Sequence, residues 1–395
     1  MKKYIFIVGS RGYKFNYGGW ETFVTELMKN QTNKEFQYVI PKLSFDKRED
    51  GNIIHTDSVI EPVVFTPKQG FATMFTFTIR SMNRVVNYIN DNKIENALVL
   101  LLGCKVGPLI PIWKRKLKNA KFIINPDGLE WKREKWAWWI KQCFKYSEKT
   151  CVKYTDACVC DSMAIKSYID EKYKSYHKPS YYIAFGAYLD IDIHKNEIVK
   201  NLWKQYDIKD HEYYLIVGRF VPENNYEVMI KEFMKSKTKR DLVIICNLEE
   251  NKFYKYLQES TDFMNDKRIK FIGSVYDKEA LLYFRRHAYA YIHGHSAGGT
   301  NPSLLEALAN TKLNILFDVV YNKEVGKDCV LYFSKKDNDL KKVINKAEKL
   351  SKIEINKMGI KAKERIMDAY TWESIVTKYE MVFDELLGEK IKKSN

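Results

Sequence analysis

Residues 293–309 read H-G-H-S-A-G-G-T-N-P-S-L-L-E-A-L-A, a run of residue types suited to holding an anionic group beside hydroxyls. Pro302 stands at a first helical position, where a missing N–H leaves nothing unpaired. Thr300 or Asn301 can cap that helix with a side-chain oxygen. The helix start, with Gly299 before it and Ser303 inside it, offers free N–H groups and a partial positive charge, a seat for phosphate or pyrophosphate. Glu306 falls one turn inside, too deep to cap and placed to accept hydrogen bonds from sugar hydroxyls. His295 reads as a donor to phosphate or a sugar hydroxyl, and His293 as a strand-end residue. With no carboxylate or Cys at ligand spacing from these two, zinc is not expected. The plainer alternative is an ordinary strand–loop–helix.

Two further segments carry reactive side chains. In V-G-R-F-V-P-E-N-N (217–225), Arg219 offers a guanidinium fork for a diphosphate, or else a surface ion pair with Glu223. In N-P-D-G-L-E-W-K-R-E-K-W (125–136), Asp127 follows a strand. A carboxylate such as Asp127 or Glu223 can polarise a hydroxyl or stabilise developing positive charge. The structural alternatives are a turn-forming Asp before Gly128 and a helix-capping Glu223. A glycine-rich loop with Gly9, Gly12, Gly18 and Gly19 follows the first apolar run. It lacks the G-x-G-x-x-G dinucleotide pattern.

The elements that must position these residues alternate from end to end. Strand-like runs fall at 4–8, 36–40, 62–66, 97–102, 121–125 and 157–160, then at 213–217, 241–246, 269–272, 289–293, 314–317 and 329–332. Between them, stretches such as 78–90 show apolar residues at helical spacing. Such alternation predicts parallel sheets with helices on both faces, an α/β class. The series restarts after 181–192, which places a domain junction there.

Composition narrows the setting. The 395 residues suggest two domains, and 45% apolar with 14% aromatic residues supply ample core. The net charge of +16, most of it before residue 190, suits anionic partners. No nucleic-acid motif accompanies it. The seven cysteines form no C-x-x-C pair and read as reduced core residues of a cytoplasmic protein. No leader peptide and no membrane-spanning run is expected. Trp131, Trp136, Trp138, Trp139 and Phe144 interleave with Lys132, Arg133, Lys135, Lys141, Lys145 and Lys149, a pattern of either an anionic membrane surface or a buried helix.

Together, residues 7–27, 125–136, 217–225 and 293–309 resemble retaining glycosyltransferases of the GT-B fold. The form G-H-S-x-G-G-T-N-P-S-L-x-E is similar to a branch of bacterial rhamnosyltransferases that build capsule or cell-wall polysaccharide. The wider family carries a Glu-x7-Glu motif here. Glu306 matches the second Glu, which holds the donor ribose, while Gly298 stands in place of the first. Arg219 matches the family's diphosphate-gripping Arg, and Asn224 stands where a Lys is usual.

The resemblance implies two Rossmann-like domains facing across a cleft. Residues 1–187 would form the acceptor domain, with helix 371–387 crossing back onto it, and 188–370 the donor domain. It implies donor binding by Gly18, Gly19, Arg219, His295, Gly299, Thr300, Asn301, Ser303 and Glu306. Catalytic roles fall to Asp127, Glu223 and Arg219, and the acceptor side to Glu130, Trp131 and Arg133, with no metal and no cofactor. The implied reaction moves L-rhamnose from dTDP-L-rhamnose, with retention, to a polyprenyl-diphosphate-linked sugar at the inner face of the cell membrane. The expected partners are thus a nucleotide-sugar donor, a lipid-diphosphate-linked acceptor and an anionic membrane surface, with no nucleic acid. Alternatives are a UDP-hexose donor, a GT-B nucleotide-sugar epimerase and a non-catalytic basic binding protein. The co-occurrence of Arg219, Glu306 and D-G-L-E-W argues against the last.

Overall fold

The structure, a computed structural model, describes residues 2–14, 18–56, 58–70, 72–133, 136–189 and 191–388. It divides into two units, one formed by Met1–Phe185 with Trp372–Asn395 and the other by Gly186–Thr371.

In the first unit the strands are β1 (Lys3–Val8), β2 (Phe36–Val39), β3 (Lys42–Ser44), β4 (Ile53–Thr56), β5 (Val59–Phe65), β6 (Ala97–Leu102), β7 (Lys121–Asn125), β8 (Ala157–Cys160) and β9 (Ser180–Tyr182). They form one sheet in the order β3-β5-β2-β1-β6-β7-β8-β9, with β4 antiparallel on β5 and the other pairings parallel. Every residue of β6 (A-L-V-L-L-L) is buried, as a parallel strand covered on both faces requires. The second unit holds β10 (Tyr213–Val217), β11 (Asp241–Ile245), β12 (Ile269–Gly273), β13 (Ala290–His293), β14 (Asn314–Phe317) and β15 (Leu331–Phe333). Its all-parallel sheet runs β12-β11-β10-β13-β14-β15.

Setting aside the short strands β3, β4 and β9, each sheet has the same winding, 3-2-1-4-5-6 in its own chain order. The winding reverses between β1 and β6 in one sheet and between β10 and β13 in the other. At such a reversal the loops leaving two adjacent strands turn to opposite faces and open a crevice. The α/β expectation holds. Details differ: β3, β4 and β9 were not expected, β5 begins earlier because Val59 and Ile60 pair with β2 and β4, and β15 begins two residues late.

Helix Trp372–Gly388 is part of the first unit. Its buried stripe, including Ile375, Tyr379, Phe383 and Leu386, meets aromatic rings at the start of the chain. Phe23 lies 4.9 Å from Tyr379 and Phe36 5.9 Å from Phe383, between ring centroids. The buried Glu380 accepts hydrogen bonds from the amides of Thr32 (2.9 Å) and Asn33 (3.1 Å) and from the Thr32 hydroxyl. Five of the seven cysteines are buried and all are free thiols. Among the described residues no helix is long and apolar enough to cross a membrane.

Phe383 is wholly buried. Phe383→Ala is therefore expected to destabilise the first unit by about 3–5 kcal/mol in urea unfolding. A loss under 1 kcal/mol would mean that the helix adds little to that core.

Candidate active site

In the second unit the site forms at the winding reversal. β10 ends at Val217, and residues 218–225 turn back through a 3-10 turn (Pro222–Asn224) to Asn225, which is left-handed (φ 53°). β13 ends at His293, and residues 294–301 lead into helix Pro302–Asn310. The two loops are stitched together. Asn225 Nδ2 donates to the Gly294 carbonyl (2.7 Å), and Ser296 donates to the Glu223 carbonyl from its amide (3.0 Å) and hydroxyl (2.9 Å). His295 Nδ1 meets Asn224 Oδ1 at 2.7 Å. A side chain at Gly294 would collide with the Asn224 carbonyl and the Met229 side chain, so only glycine lets the loops approach this closely.

Helix Pro302–Asn310 begins as its sequence suggests. Asn301, not Thr300, caps it, its Oδ1 accepting from the Ser303 amide (2.9 Å), while Thr300 is buried. Gly299 lies in the loop before this cap. The Ser303 hydroxyl points into the fold, with Arg285 Nη2 (3.0 Å), Tyr291 Oη (3.1 Å) and the Val217 carbonyl (3.4 Å) around it. What Ser303 offers a ligand is its place at the helix start rather than its hydroxyl. The Arg219 side chain is exposed, and among the described residues it forms no ion pair, with Glu223 or otherwise. The Glu223 carboxylate caps nothing; it is the residue's carbonyl that holds Ser296.

Sequence reasoning missed Arg285, on helix Lys278–Arg286. Its side chain is 1% exposed and its Nη2 pairs with Glu306 Oε2 at 2.8 Å. Arg285 thus fixes the Glu306 carboxylate, which remains about one-third exposed. Arg285 Nε and His293 Nε2 are buried without a partner among the described residues, a local excess of unmet donors and acceptors beneath the helix start. Burial, then His295 and Arg285, push the His293 pKa well down, so the ring is neutral.

In the first unit the reversal lies between β1 and β6. Gly9 (φ 121°) follows β1, where a Cβ would stand 2.6 Å from the Leu102 carbonyl oxygen. Residues 15–17 fall outside the described residues; beyond them Gly18 caps helix Gly19–Lys29, whose buried Glu21 accepts from the Arg11 amide (3.0 Å). Asp127 follows β7 in a left-handed conformation (φ 62°), its amide donating to Asn125 Oδ1 (3.0 Å). Asp is one of the residues that tolerate this conformation in a turn, and Asp127 shares it with Asp207 and Asp262. Burial raises the Asp127 pKa against the opposing pull of Arg133, the Gly128 amide and Lys105. Lys105, just past β6, was not singled out by the sequence. Burial lowers its pKa, while Asp127, Glu130 and Glu21 oppose that shift.

Glu130, Trp131 and Arg133 turn out to be braced. Glu130 pairs with Arg133 Nε (2.9 Å) and accepts from Trp136 Nε1 (2.9 Å). Trp131 donates to the buried Glu148 (2.9 Å), which also accepts from Tyr168 (2.7 Å) and Tyr173 (2.6 Å). The basic-aromatic run therefore splits: Phe144 packs inward, while Trp138 (75% exposed) and Trp139 (63%) face solvent; Lys135 lies outside the described residues. The described residues that converge in a metal-like cluster are Asp210, His211 and His287, at the opposite, amino-terminal edge of the second sheet; His293 and His295 are not among them.

Residues 2–188 match the family model "Domain of unknown function (DUF1972)", and residues 200–365 match "Glycosyl transferases group 1". No curated protein matches the chain by sequence. Among solved structures it is similar to sucrose-phosphate synthase from Thermosynechococcus elongatus (TM-score 0.76, 14% identity, 99% of this chain and 100% of that one). It is also similar to the Escherichia coli trehalose-6-phosphate structure bound with UDP-2-fluoro glucose (0.73, 8%, 97% and 99%). A third is Anabaena HepE in complex with UDP (0.68, 12%, 98% and 100%). These likenesses establish the fold.

Asp127→Asn removes a half-buried charge and suits a left-handed residue. The native carboxyl holds its proton to higher pH than the unfolded one, so wild-type stability falls as pH rises through that window. The variant is expected to melt about 2–4 °C higher at neutral pH, the response of such a domain to roughly 1 kcal/mol. That gap should close as pH falls below the ordinary carboxylate range. A gap that widens toward acid would contradict the raised Asp127 pKa.

Proposed function

We propose that this chain, a GT-B protein whose second unit is a group 1 glycosyl transferase domain, moves L-rhamnose from dTDP-L-rhamnose to a polyprenyl-diphosphate-linked sugar, retaining the donor's anomeric configuration, in polysaccharide synthesis. The observation that carries the transferase reading is the second-unit site. An exposed guanidinium (Arg219), a capped helix start (Asn301) and a carboxylate held by a buried Arg (Glu306) gather at one winding reversal. Fixed positive potential of this kind stabilises a departing diphosphate, whose charge grows as the glycosidic bond breaks. Glu306 accepts from ribose hydroxyls through the part of its carboxylate that stays accessible. The rhamnose assignment rests on the G-H-S-x-G-G-T-N-P-S-L-x-E form and Gly298.

Asp127 serves the acceptor. A carboxyl whose pKa is raised above the ordinary value is a better proton acceptor for a sugar hydroxyl than an ordinary one, and here it also orients that hydroxyl. Glu223 lies close enough to Arg219 in sequence to act on the donor side. Gly18 and Gly19 stand at the start of a helix on the donor side, where Gly19 leaves open space and the space beside Gly18 is taken by the Glu21 carboxylate. Glu130, Trp131 and Arg133 shape the acceptor side through their bracing of one another and of helix Trp138–Tyr154.

A UDP-hexose donor is the second reading, favoured by UDP in the Anabaena neighbour and UDP-2-fluoro glucose in the E. coli one. Incubation with a panel of nucleotide sugars and lipid-linked glucose or N-acetylglucosamine separates the two. Turnover of nucleotide sugar without any acceptor would point instead to an epimerase. Arg219→Ala and Glu306→Ala should each raise the donor KM about 10- to 100-fold, the loss of a charged hydrogen bond. Asp127→Asn should cut kcat at least about 10-fold and leave donor KM near wild type. Unchanged kcat would return Asp127 to a turn-forming role.

The lipid acceptor requires contact with an anionic membrane. Trp138 and Trp139, exposed at the start of a helix that also carries Lys141, Lys145 and Lys149, are suited to the headgroup layer. Trp138→Ser with Trp139→Ser should lower binding to phosphatidylglycerol-containing vesicles about 10-fold or more. Transfer to a soluble short-chain acceptor should survive. Equal binding by wild type and variant would move the membrane contact elsewhere.

A further inference from the structure

Asp210, His211 and His287 come together at the end of the second sheet away from the donor side. Asp210 and His211 stand just before β10, and His287 caps the carboxyl end of helix Lys278–Arg286, just before β13. Arg219 and the loop of His295 follow the opposite ends of the same two strands.

The backbone that carries the three residues is pinned. The His211 amide donates to the His287 carbonyl (2.9 Å), the Tyr289 amide to the Tyr213 carbonyl (2.8 Å), and Tyr213 Oη to the Phe284 carbonyl (2.7 Å). The His287 ring stacks on that of Tyr283, with centroids 3.9 Å and planes 13° apart, and Trp203 meets it edge-on at 5.9 Å. His211 is left-handed (φ 55°), a conformation in which His is one of the commoner side chains, and its ring faces that of His287 at 5.7 Å.

Asp210 lies between the two imidazoles. Its Oδ1 is 2.7 Å from His287 Nδ1 and 3.6 Å from His211 Nε2, and one ligand atom from each residue lies within 4.8 Å of the other two. Two donors on one zinc ion, each about 2.1 Å from it at a tetrahedral angle, stand about 3.4 Å apart. The two measured separations fall on either side of that value. The His211 and Asp210 side chains are each just over half exposed, so they have room to adjust. The neighbouring guanidinium of Arg240, which donates to the His211 carbonyl (3.3 Å), has its charge met by Glu348 and Glu212. Two imidazoles and one carboxylate suit zinc and its neighbours in the transition series, whereas magnesium and calcium take oxygen donors.

We infer that Asp210, His211 and His287 form a binding site for one divalent transition ion of the zinc class, with water completing its coordination. The ion takes the place of the proton between Asp210 and His287 Nδ1, and that ring then carries its proton on Nε2. It clasps the segment before β10 to the end of helix Lys278–Arg286 and takes no part in chemistry at the opposite ends of the strands.

The test uses the full chain, stripped with a chelator and dialysed. Zn²⁺ is titrated by calorimetry, Co²⁺ is followed by its visible absorption, and Mg²⁺ is the control. One Zn²⁺ should bind per chain with a Kd in the micromolar range, Co²⁺ should develop the visible bands of a nitrogen-ligated site, and Mg²⁺ should not bind. His211→Asn, which keeps a residue suited to the left-handed region, and Asp210→Asn should each weaken Zn²⁺ binding about 10-fold or more. Zn²⁺ at about a hundred times its Kd should raise the wild-type melting temperature by about 5–10 °C, and that of His211→Asn by about half as much or less. A wild-type chain with no saturable Zn²⁺ binding overturns the proposal and leaves the cluster a hydrogen-bonded tie. Unchanged Zn²⁺ binding in either variant also overturns it, by placing the ion on other side chains. Equal binding of Mg²⁺ overturns it too, by making the site an acidic surface without preference for nitrogen ligands. His287→Gln should lose Zn²⁺ affinity as the other two do, and wild-type binding in that variant overturns the three-residue site. Should His287→Gln fail to fold, the two variants at exposed positions decide. None of these outcomes depends on the glycosyltransferase reading.

Discussion

The second-unit site depends on one close approach of backbone to backbone, where Gly294 passes the carbonyl of Asn224. Two strands adjacent in a sheet send their loops apart at a winding reversal, and something must hold those loops to one another. Here side chains from one loop bond main-chain atoms of the other, from Asn225 to Gly294 and from Ser296 to Glu223. Bonds of that length form only if no Cβ separates the chains. The glycine therefore places Arg219, His295 and the start of helix Pro302–Asn310 in one framework without touching a ligand itself.

Beneath that surface a second constraint operates. Arg285 is almost fully buried, and Glu306 and Ser303 are the partners that make its burial tolerable. A buried guanidinium that lost its carboxylate would be strongly unfavourable, so Glu306 is held in one orientation by the demands of the core. Tyr291 extends the network to His293, whose ring is kept neutral by burial. A carboxylate anchored from below has lost its rotamer freedom before any ligand arrives, which lowers the entropic cost of binding.

How far the fold was legible follows from these particulars. The long buried strands announced themselves as continuous apolar runs, β6 most plainly. Strand β4 did not, because three of its four residues face solvent and its only pairing is antiparallel on β5. Asn301 and Pro302 identified a helix start from local chemistry alone. Arg285 could not be found that way: it and Arg286 are neighbours of the same type, yet one pairs with Glu306 in the core and the other bonds Asn310 at the margin. Lys105 was hidden for a related reason, since its significance comes from Asp127 and Glu130, on the segment after β7, and from Glu21, on helix Gly19–Lys29. The tie between Asn224 and His295 joins residues far apart in the chain. Only the sheet order makes them neighbours.

The placement of helix Trp372–Gly388 in the first unit bears on the order in which the chain can fold. Gly186–Thr371 is continuous, so every residue it needs has been synthesised once Thr371 emerges. The first unit, although begun earlier, leaves Phe23 and Phe36 uncovered until the last helix arrives to meet them. During translation the second unit can thus be complete while the first is still open at one face. Joining its two parts then means closing a loop around a folded body, whose near ends, Ala187 and Thr371, already lie bridged side by side. The closure entropy that a flexible loop of that length would demand has by then been met within the second unit. Unit two is in this sense the clasp that brings the ends of unit one together.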